Sequence, residues 1–491
     1  MDIDYEPQEA LVIEQFFLHC SATTDWCGQT WKDRIQMELN TSEEMSPKFY
    51  TNYITNFKSG ETINHPLIIL KGRIVASNRE PVNGNLSVQN CDKSLDWPVK
   101  SGHYKVLVML TKGWNEIVLN YEEDILVLKL QFEFNDTGYY VIPIYIVSFD
   151  HDGHFQGPHD SDCSVSSART RITFASRLLQ SILAEKLREL GLGRQTFTLW
   201  EEEGCVLHKS ALSVKEAQTM KQEELWEYYG REIVRTFGKQ QSKKFKFLAF
   251  LACTRYEGKD RDAGLSYKEI LASTKGHVAL GGGGLAIFGT GCLHTWPTTE
   301  EEVLPCLHSK IPGVMGRGFD HMNLVLGEEE EISSEIHSTI DFTVNLQVDC
   351  QVQKKSVESN QARQHSTVSK PQCRQGPPSN STDKTFFTKS CAYLLAYHRW
   401  FIKTAANSDC DISFDEISWT LKSPAGVRVV EVREGDRQVV RASWCFPQAR
   451  QLFVVPRSTL PSKMKPPLLL LAEDSVGNII RHKLNLDENS I

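Results

Sequence analysis

The chain has 491 residues, and its 40% hydrophobic and 24% charged residues are ordinary for a globular protein of roughly two to four domains. A net charge of −8 and a pI near 6.0 argue against a nucleic-acid partner, because dedicated nucleic-acid binders carry a basic excess. No run of the sequence approaches the ~20 apolar residues that span a bilayer, so we expect no transmembrane segment and no membrane partner.

The first part of the chain changes texture near residue 62. Residues 1–61 show no clear hydrophobic period and are interpreted as an N-terminal extension. Over 62–138, short runs rich in Val, Ile and Leu alternate with turn signals such as Asn83-Gly84 and Ser101-Gly102. Several short strands separated in this way predict an antiparallel β-sandwich over 62–138.

Strands and helices then alternate over 139–327, which indicates an α/β core built on a sheet. A long helix begins after Ser166 or Ser167 and ends before Gly191, which has the position of a C′ glycine. The predicted strands are 139–149, QTFTLWEE (195–202), KFKFLAFLACTRY (244–256) and HVALGGGGLAIFG (277–289), and a second helix is predicted over 213–237.

The remaining sequence predicts a linker, a helix and a third unit. Residues 328–385 begin with the acidic run Glu328–Glu331 and then become polar, so we expect a disordered linker there. A helix is predicted within 386–406, and a β-rich domain over 407–491. The fold class is therefore predicted as α+β multidomain, with an N-terminal β-sandwich, a central α/β core and a C-terminal β-rich domain.

Three local patterns offer chemistry, and each has a simpler interpretation. Gly281–Gly284 has no Lys-Ser or Lys-Thr after it, so a bulge or a close backbone approach within a strand is favoured over a nucleotide site. Pro305-Cys306-Leu307-His308 lacks the second cysteine of a zinc deaminase. A third segment combines metal-ligand residue types but has no metal-binding spacing, which favours a solvated polar loop. It contains His151, His154, His159, Asp150, Asp152, Asp160 and Asp162.

The cysteines indicate a compartment rather than a site. The chain has 13 of them, an odd number, and no two have C-x-x-C spacing. The N-terminus MDIDYEPQEA is acidic and so lacks the basic start of a secretory signal. We therefore expect mostly free thiols and a cytoplasmic location, with the nucleus as the alternative.

Several motifs together resemble a zinc metallopeptidase family of fungi and animals. They are GLGRQTF (191–197), KFKFLAF (244–250), HVALGGGGLAIFG followed by Leu293, Thr295, Trp296 and Pro297, then PGVMGRGFD (312–320) and SCAYLLAYHRWF (390–401). The resemblance implies a metzincin-like core, a zinc cofactor and a peptide or protein substrate. Family members are expected to carry H-E-x-x-H on a helix, a third His beyond it and a Met-containing turn.

This chain departs from that pattern, because H-E-x-x-H occurs nowhere in its sequence. Two His at i and i+4 share a helix face and can bind one zinc ion, and the Glu between them can act as a general base. By the resemblance, His308 is a residual candidate for the third ligand and Met315 is the Met-turn residue. His294 and His321 lie nearby, but no spacing argues for them. Glu300, Glu301 and Glu302 have no flanking pair of histidines.

Two hypotheses about function follow. In the first, the chain is an inactive member of a peptide-hydrolysing family, with no catalytic residue and no bound zinc. In the second, it is a non-enzymatic binding or scaffold protein that uses its β-domains. The sequence identifies neither the substrate nor the oligomeric state.

Overall fold

A computed structural model describes residues 50–77, 80–200, 204–257, 272–282, 284–308, 388–403, 412–435, 439–460 and 466–484. The expected linker at 328–385, Met315, His321 and the first 49 residues lie outside these ranges. In the described part of the chain, no helix is long and apolar enough to cross a membrane. The predicted combination of helices with several β-sheets is confirmed.

The N-terminal unit is a sandwich of two sheets around one hydrophobic core. One sheet has the order β1-β3-β6 and the other β2-β8-β7-β4-β5. Alternating burial along the strands directs Leu70, Trp97 and Leu119 into the shared core. The strands are β1 Tyr50–Ile54, β2 Thr62–Ile63, β3 Leu67–Ala76, β4 Gly84–Asn90, β5 Lys93–Val99, β6 His103–Met109, β7 Gly113–Tyr121 and β8 Asp124–Phe132.

The sandwich begins earlier than the sequence pattern indicated. Strand β1 lies inside the segment interpreted as an extension, and it pairs antiparallel with β3 from Tyr50 to Ile54. Its burial alternates only weakly, because Asn52 rather than an apolar residue occupies its inward position. The Asn52 Oδ1 atom accepts a hydrogen bond from Tyr104 Oη at 2.7 Å. A search for hydrophobic periodicity does not detect a strand whose inward position is polar.

The central unit is a five-stranded sheet with helices on both faces. Its order is β10-β9-β11-β15-β14, and all neighbouring strands are parallel except the edge pair β14 and β15. The elements are β9 Tyr140–Ser148, α1 Val165–Glu189, β10 Val206–Ser210, α2 Val214–Thr219, α3 Gln222–Phe237, α4 Lys239–Ser242, β11 Phe245–Leu251, β12 Arg255–Tyr256, β13 Thr274–Lys275, β14 Ala279–Gly282, β15 Leu285–Gly289 and α5 Glu300–His308.

The glycine run turns the chain instead of continuing one strand. Gly282 pairs with Leu285, so β14 and β15 form a hairpin with a two-residue connection. Gly284 has φ +94°, a backbone conformation that residues other than glycine rarely adopt. A Cβ there would lie 3.1 Å from Lys246 Cδ. The expected single strand over 277–289 is therefore wrong, and the glycines form a turn instead of a bulge or a close backbone approach within a strand.

Two other expectations in this unit need correction. Within its described residues, 195–200, QTFTLWEE forms one bridge, Leu199 to Val141, and the edge strand is instead β10, formed by VLHKS. The helix expected over 213–237 is two helices, because Met220 and Lys221 adopt extended backbone between α2 and α3. Each of the two helices begins with a cap that the hydrophobic pattern alone does not show: Ser213 with Glu216 for α2, and Lys221 with Glu224 for α3.

The C-terminal unit is a helix followed by a sheet. Because this sheet belongs to the third unit of the chain, it is called the third sheet. Helix α6, Lys389–Tyr397, ends well before the predicted 406, since His398 adopts extended backbone and the turn after it buries Trp400 and Phe401. The sheet has the order β16-β17-β19-β20, with β18 on the open side of β17. Its strands are β16 Ser413–Asp415, β17 Thr420–Glu434, β18 Val439–Val454, β19 Leu468–Asp474 and β20 Ile479–Leu484.

A buried ion network joins the sandwich to the central unit. Glu185 of α1 is 3% exposed and accepts hydrogen bonds from Arg194 Nε at 2.7 Å, Arg188 Nε at 3.0 Å and Asn56 Nδ2 at 2.8 Å. Arg194 also donates to Glu61 Oε2 at 2.6 Å and to the Asn56 carbonyl. Its guanidinium lies 3.7 Å from the centre of the Phe57 ring. Arg194 therefore connects the loop after α1 to the segment between β1 and β2 of the sandwich.

Replacing Arg194 should be strongly destabilising. Arg194→Ala leaves the buried Glu185 carboxylate with half of its charged partners, and breaking a buried pair costs about 3–5 kcal/mol. Urea unfolding measures the loss. The control is Arg231→Ala, which removes an exposed ion pair to Glu227 and should change stability by less than about 1 kcal/mol. Equal effects of the two substitutions would contradict this role of Arg194.

The third sheet packs against the central unit through a face that carries buried charges. Glu431 and Arg433 on β17 form a buried pair at 2.5 Å. Glu473 on β19 is fully buried, and within the described ranges neither of its carboxylate oxygens has a hydrogen-bond partner. Burial first, and then the charge of Asp474, raise the pKa of Glu473 well above its usual range, and Arg399 opposes this only partly. Glu473 therefore holds its proton to a higher pH than an exposed glutamate does.

The raised pKa of Glu473 makes stability depend on pH. Its folded pKa lies above its unfolded value of 4.5, so its contribution is complete below pH 4.5 and is lost as the pH rises towards the folded pKa. We expect the free energy of unfolding of wild type to fall, relative to Glu473→Gln, by about 1.4 kcal/mol per pH unit in that window. Denaturant titrations from pH 5 to pH 8 measure it. The exposed-site control Glu116→Gln should follow the wild-type profile; a wild-type profile parallel to that of Glu473→Gln would contradict the assignment.

Candidate functional site

The candidate site lies where the chain leaves the central sheet at the end of β15. A 3-10 turn, Leu293–Thr295, leads to the buried Trp296 and then to α5. Arg171 of α1 fixes this segment, because its Nη1 donates to the Trp296 carbonyl while its Nε donates to Ser167 Oγ at 3.1 Å. The family-like Thr-Trp-Pro motif is therefore attached to the first half of α1.

His294 lies inside this turn as a buried imidazole. Burial first, and then the nearby Arg171 charge, lower its pKa to about 4. The ring is therefore neutral near pH 7. A Cβ at Gly157 would lie 3.0 Å from His294 Cβ, so the loop before α1 packs directly on this histidine. His294 thus has the environment of a core residue.

Helix α5 is anchored to the sandwich rather than to the central sheet. Glu300 is 6% exposed and accepts a hydrogen bond from Lys93 Nζ of β5 at 3.0 Å, and Lys93 also lies 3.7 Å from Glu301. Val303 is buried in the sandwich core. At the start of the helix, the Glu302 carboxylate accepts hydrogen bonds from the Thr298 amide and hydroxyl at 2.8 and 2.7 Å. The three glutamates predicted to lack a catalytic partner therefore have structural ones.

Of the two residues assigned by the resemblance, His308 lies within the described ranges and Met315 does not. His308 is the last residue of α5. Met315 lies outside the described ranges, so the Met turn stays a prediction. The assignment of His308 as a third zinc ligand also stays a prediction.

The histidine-rich loop before α1 is organised by local hydrogen bonds. His151 Nδ1 accepts from the Gly153 amide at 2.9 Å, and Asp152 accepts from the His154 amide at 2.9 Å. Asp150 accepts from the Val214 amide at 2.8 Å at the start of α2. His159 is fully exposed beside Asp160. These contacts hold the loop between β9 and α1 without directing its imidazoles to one point.

Zinc in a catalytic site needs three protein ligands around an open position. Across the ranges described above, no group of three or more His, Cys, Asp or Glu side chains has an arrangement that could hold a metal ion. The described residues, including those of the histidine-rich loop and the Trp296 segment, therefore do not fit a zinc ion.

Comparison with known proteins identifies the family. Residues 52–312 match the sequence pattern described as "Putative peptidase family", and this span is more than half of the chain. The chain belongs to this family. The resemblance carried by the glycine hairpin and the Thr-Trp-Pro motif is thereby confirmed, and the matched span of the peptidase family ends just after α5.

Individual relatives of this peptidase-family chain are distant. A protein of Schizosaccharomyces pombe named "Putative zinc metalloproteinase" is 23% identical over 280 residues, which are 51% of this chain and 43% of that protein. The chain thus spans less than half of that relative. Wild-type OgpA from Akkermansia muciniphila is 13% identical, with 71% of this chain and 94% of OgpA covered and a TM-score of 0.34. Catalytically inactive OgpA in complex with an O-glycopeptide is 12% identical, with 73% of this chain and 96% of OgpA covered and a TM-score of 0.33. These TM-scores are too low to show a shared fold.

The contacts that organise the site were not visible in the sequence. Arg171 and Lys93 reach their partners across 125 and 207 residues of sequence, so no local pattern could pair them. Arg194 belongs to the recognised GLGRQTF motif, but its role as a link to the sandwich appears only in the fold.

Removing Lys93 should loosen α5. Lys93→Ala leaves the buried Glu300 carboxylate without that donor, which costs about 1–3 kcal/mol. Hydrogen exchange of the amides in α5 should accelerate, while exchange in β11 stays unchanged. The matched control is Lys129→Ala: Lys129 is equally exposed, but its partner Glu116 is exposed as well. Unchanged exchange in the Lys93 variant would show that α5 is held by Val303 alone.

Proposed function

We propose that this chain is a non-catalytic member of its peptidase family, with a metzincin-like core that does not bind zinc. The observation that carries the proposal is the absence of H-E-x-x-H from all 491 residues. Without that motif the chain lacks both the paired imidazoles and the general base that zinc peptidases use. Peptide hydrolysis, the activity named for the fission-yeast relative, would then belong to family members that keep the motif.

The packing of α5 supports this proposal. Glu300 and Val303 tie the helix to the sandwich, so Glu300–His308 forms a stable element although the zinc-binding segment is missing. The remaining function of such a chain is binding, with a peptide or protein as partner and with the β-sheets as the available surfaces.

The test is metal content and peptidase activity of the intact chain. We expect no stoichiometric zinc by elemental analysis and no chelator-sensitive cleavage of a casein substrate. One bound zinc per chain together with chelator-sensitive cleavage would overturn the proposal. A matched positive control is a repaired chain that carries an inserted H-E-x-x-H helix, compared with the same insert in which both histidines are alanine.

The position of the insert tests the role of His308. Because α5 ends at His308, the helix can be inserted either immediately before or immediately after that residue. If His308 is the third ligand, only the first version should bind zinc, and His308→Ala in it should weaken binding strongly. Zinc binding by the second version alone would instead assign His308 to α5.

A further inference from the structure

We infer that the cleft between β2 and the loop after α1, here called the β2 cleft, binds an extended peptide through its terminal carboxylate. The inference does not rest on the proposed function, since Arg188 at this cleft and Arg171 at the candidate site are 17 residues, roughly 25 Å, apart along α1. A metal-free chain and a zinc-binding one would both present it.

The β2 cleft is a formed cavity of about 430 Å³. This volume lies within the range of ligand sites, ~300–1,000 Å³, and is large enough for two or three peptide residues. Its walls come from two separate elements, the edge of the sandwich and the GLGRQTF loop. The lining residues are Glu61, Thr62, Ile63, Asn64, Arg188, Gly193, Arg194 and Gln195.

One wall of the cleft is the open edge of a strand. Strand β2 pairs in parallel with β8, and the Glu61 and Ile63 carbonyls accept hydrogen bonds from the Gln131 and Glu133 amides at 3.0 and 2.9 Å. Alternate residues of a strand direct their main-chain groups to opposite sides. The main-chain groups of Thr62 and Asn64 therefore point away from β8, where an added strand could hydrogen-bond to them.

The opposite wall presents a guanidinium with free donors. Arg188 Nε donates to Glu185 at 3.0 Å, which fixes the orientation of the side chain. Among the described residues no partner contacts its two Nη atoms, and the side chain is 30% exposed. A planar pair of N–H donors matches a carboxylate in bidentate geometry, so Arg188 can bind the end of the added strand.

The other charged side chains at the cleft already have partners. Arg194 uses Nε, Nη1 and Nη2 on Glu185, Glu61 and the Asn56 carbonyl. Glu61 Oε2 accepts from Arg194, and its Oε1 accepts from the Lys58 amide at 3.0 Å. Glu61 therefore does not compete for Arg188, and a carboxylate ligand meets one cation with unused donors.

The experiment uses N-acetyl-trialanine with a free carboxylate as the probe, because its methyl side chains do not need a specific side-chain pocket. Saturation-transfer NMR on the full chain, with the probe at millimolar concentration, should show binding. The amidated peptide should show none. A third, amidated peptide with a glutamate side chain separates a terminal carboxylate from a side-chain carboxylate.

Variants assign the signal to the cleft. Arg188→Gln should weaken binding at least about tenfold, as expected for loss of a charge-assisted bidentate contact. Arg188→Lys should retain part of the binding, and the distant control Arg231→Gln should retain all of it. Glu185 keeps Arg194 in the Arg188 variants, and their circular dichroism should match wild type. Equal binding of the acid and amide probes, undiminished binding by a folded Arg188→Gln chain, or no binding of the free acid would each overturn the inference.

Discussion

The buried carboxylate of Glu185 is the interaction on which the arrangement of the chain depends. It lies near the end of α1 and contacts two arginines and Asn56, so one side chain connects the central unit, the GLGRQTF loop and the sandwich. A buried charge is tolerated only when its hydrogen-bonding capacity is used, and here that requirement fixes the distance between two units. The same requirement orients Arg188 towards the β2 cleft.

Much of the fold could be predicted because hydrophobic periodicity reports directly on burial. The long α1 helix and the buried strands β9 and β11 have strong patterns, and the structure places them within a few residues of the predicted bounds. Strand β1 and the break between α2 and α3 were missed because they depend on Asn52 and on capping side chains. The glycine run has no side chains to report a period, so its hairpin depends on φ and on Lys246.

The candidate site was harder to predict than the fold. The family could be recognised from motifs, but those motifs identify residues and not their partners. Arg171 and Arg194 act on main-chain carbonyls, which carry no sequence signal at all. The segment that would carry metal chemistry is absent from the sequence, so spacing could show what is missing but not what the remaining residues do.

The three units are not independent in their packing. Val429 and Leu471 of the third sheet lie in the same hydrophobic cluster as Leu248 of the central sheet, while Phe174 of α1 belongs to the sandwich core. Domains normally have hydrophobic cores of their own, so units that share a core in this way are expected to unfold together. Loss of the third sheet would uncover the side of α6 that packs on β17, β18 and β19, so the position of this helix depends on that sheet.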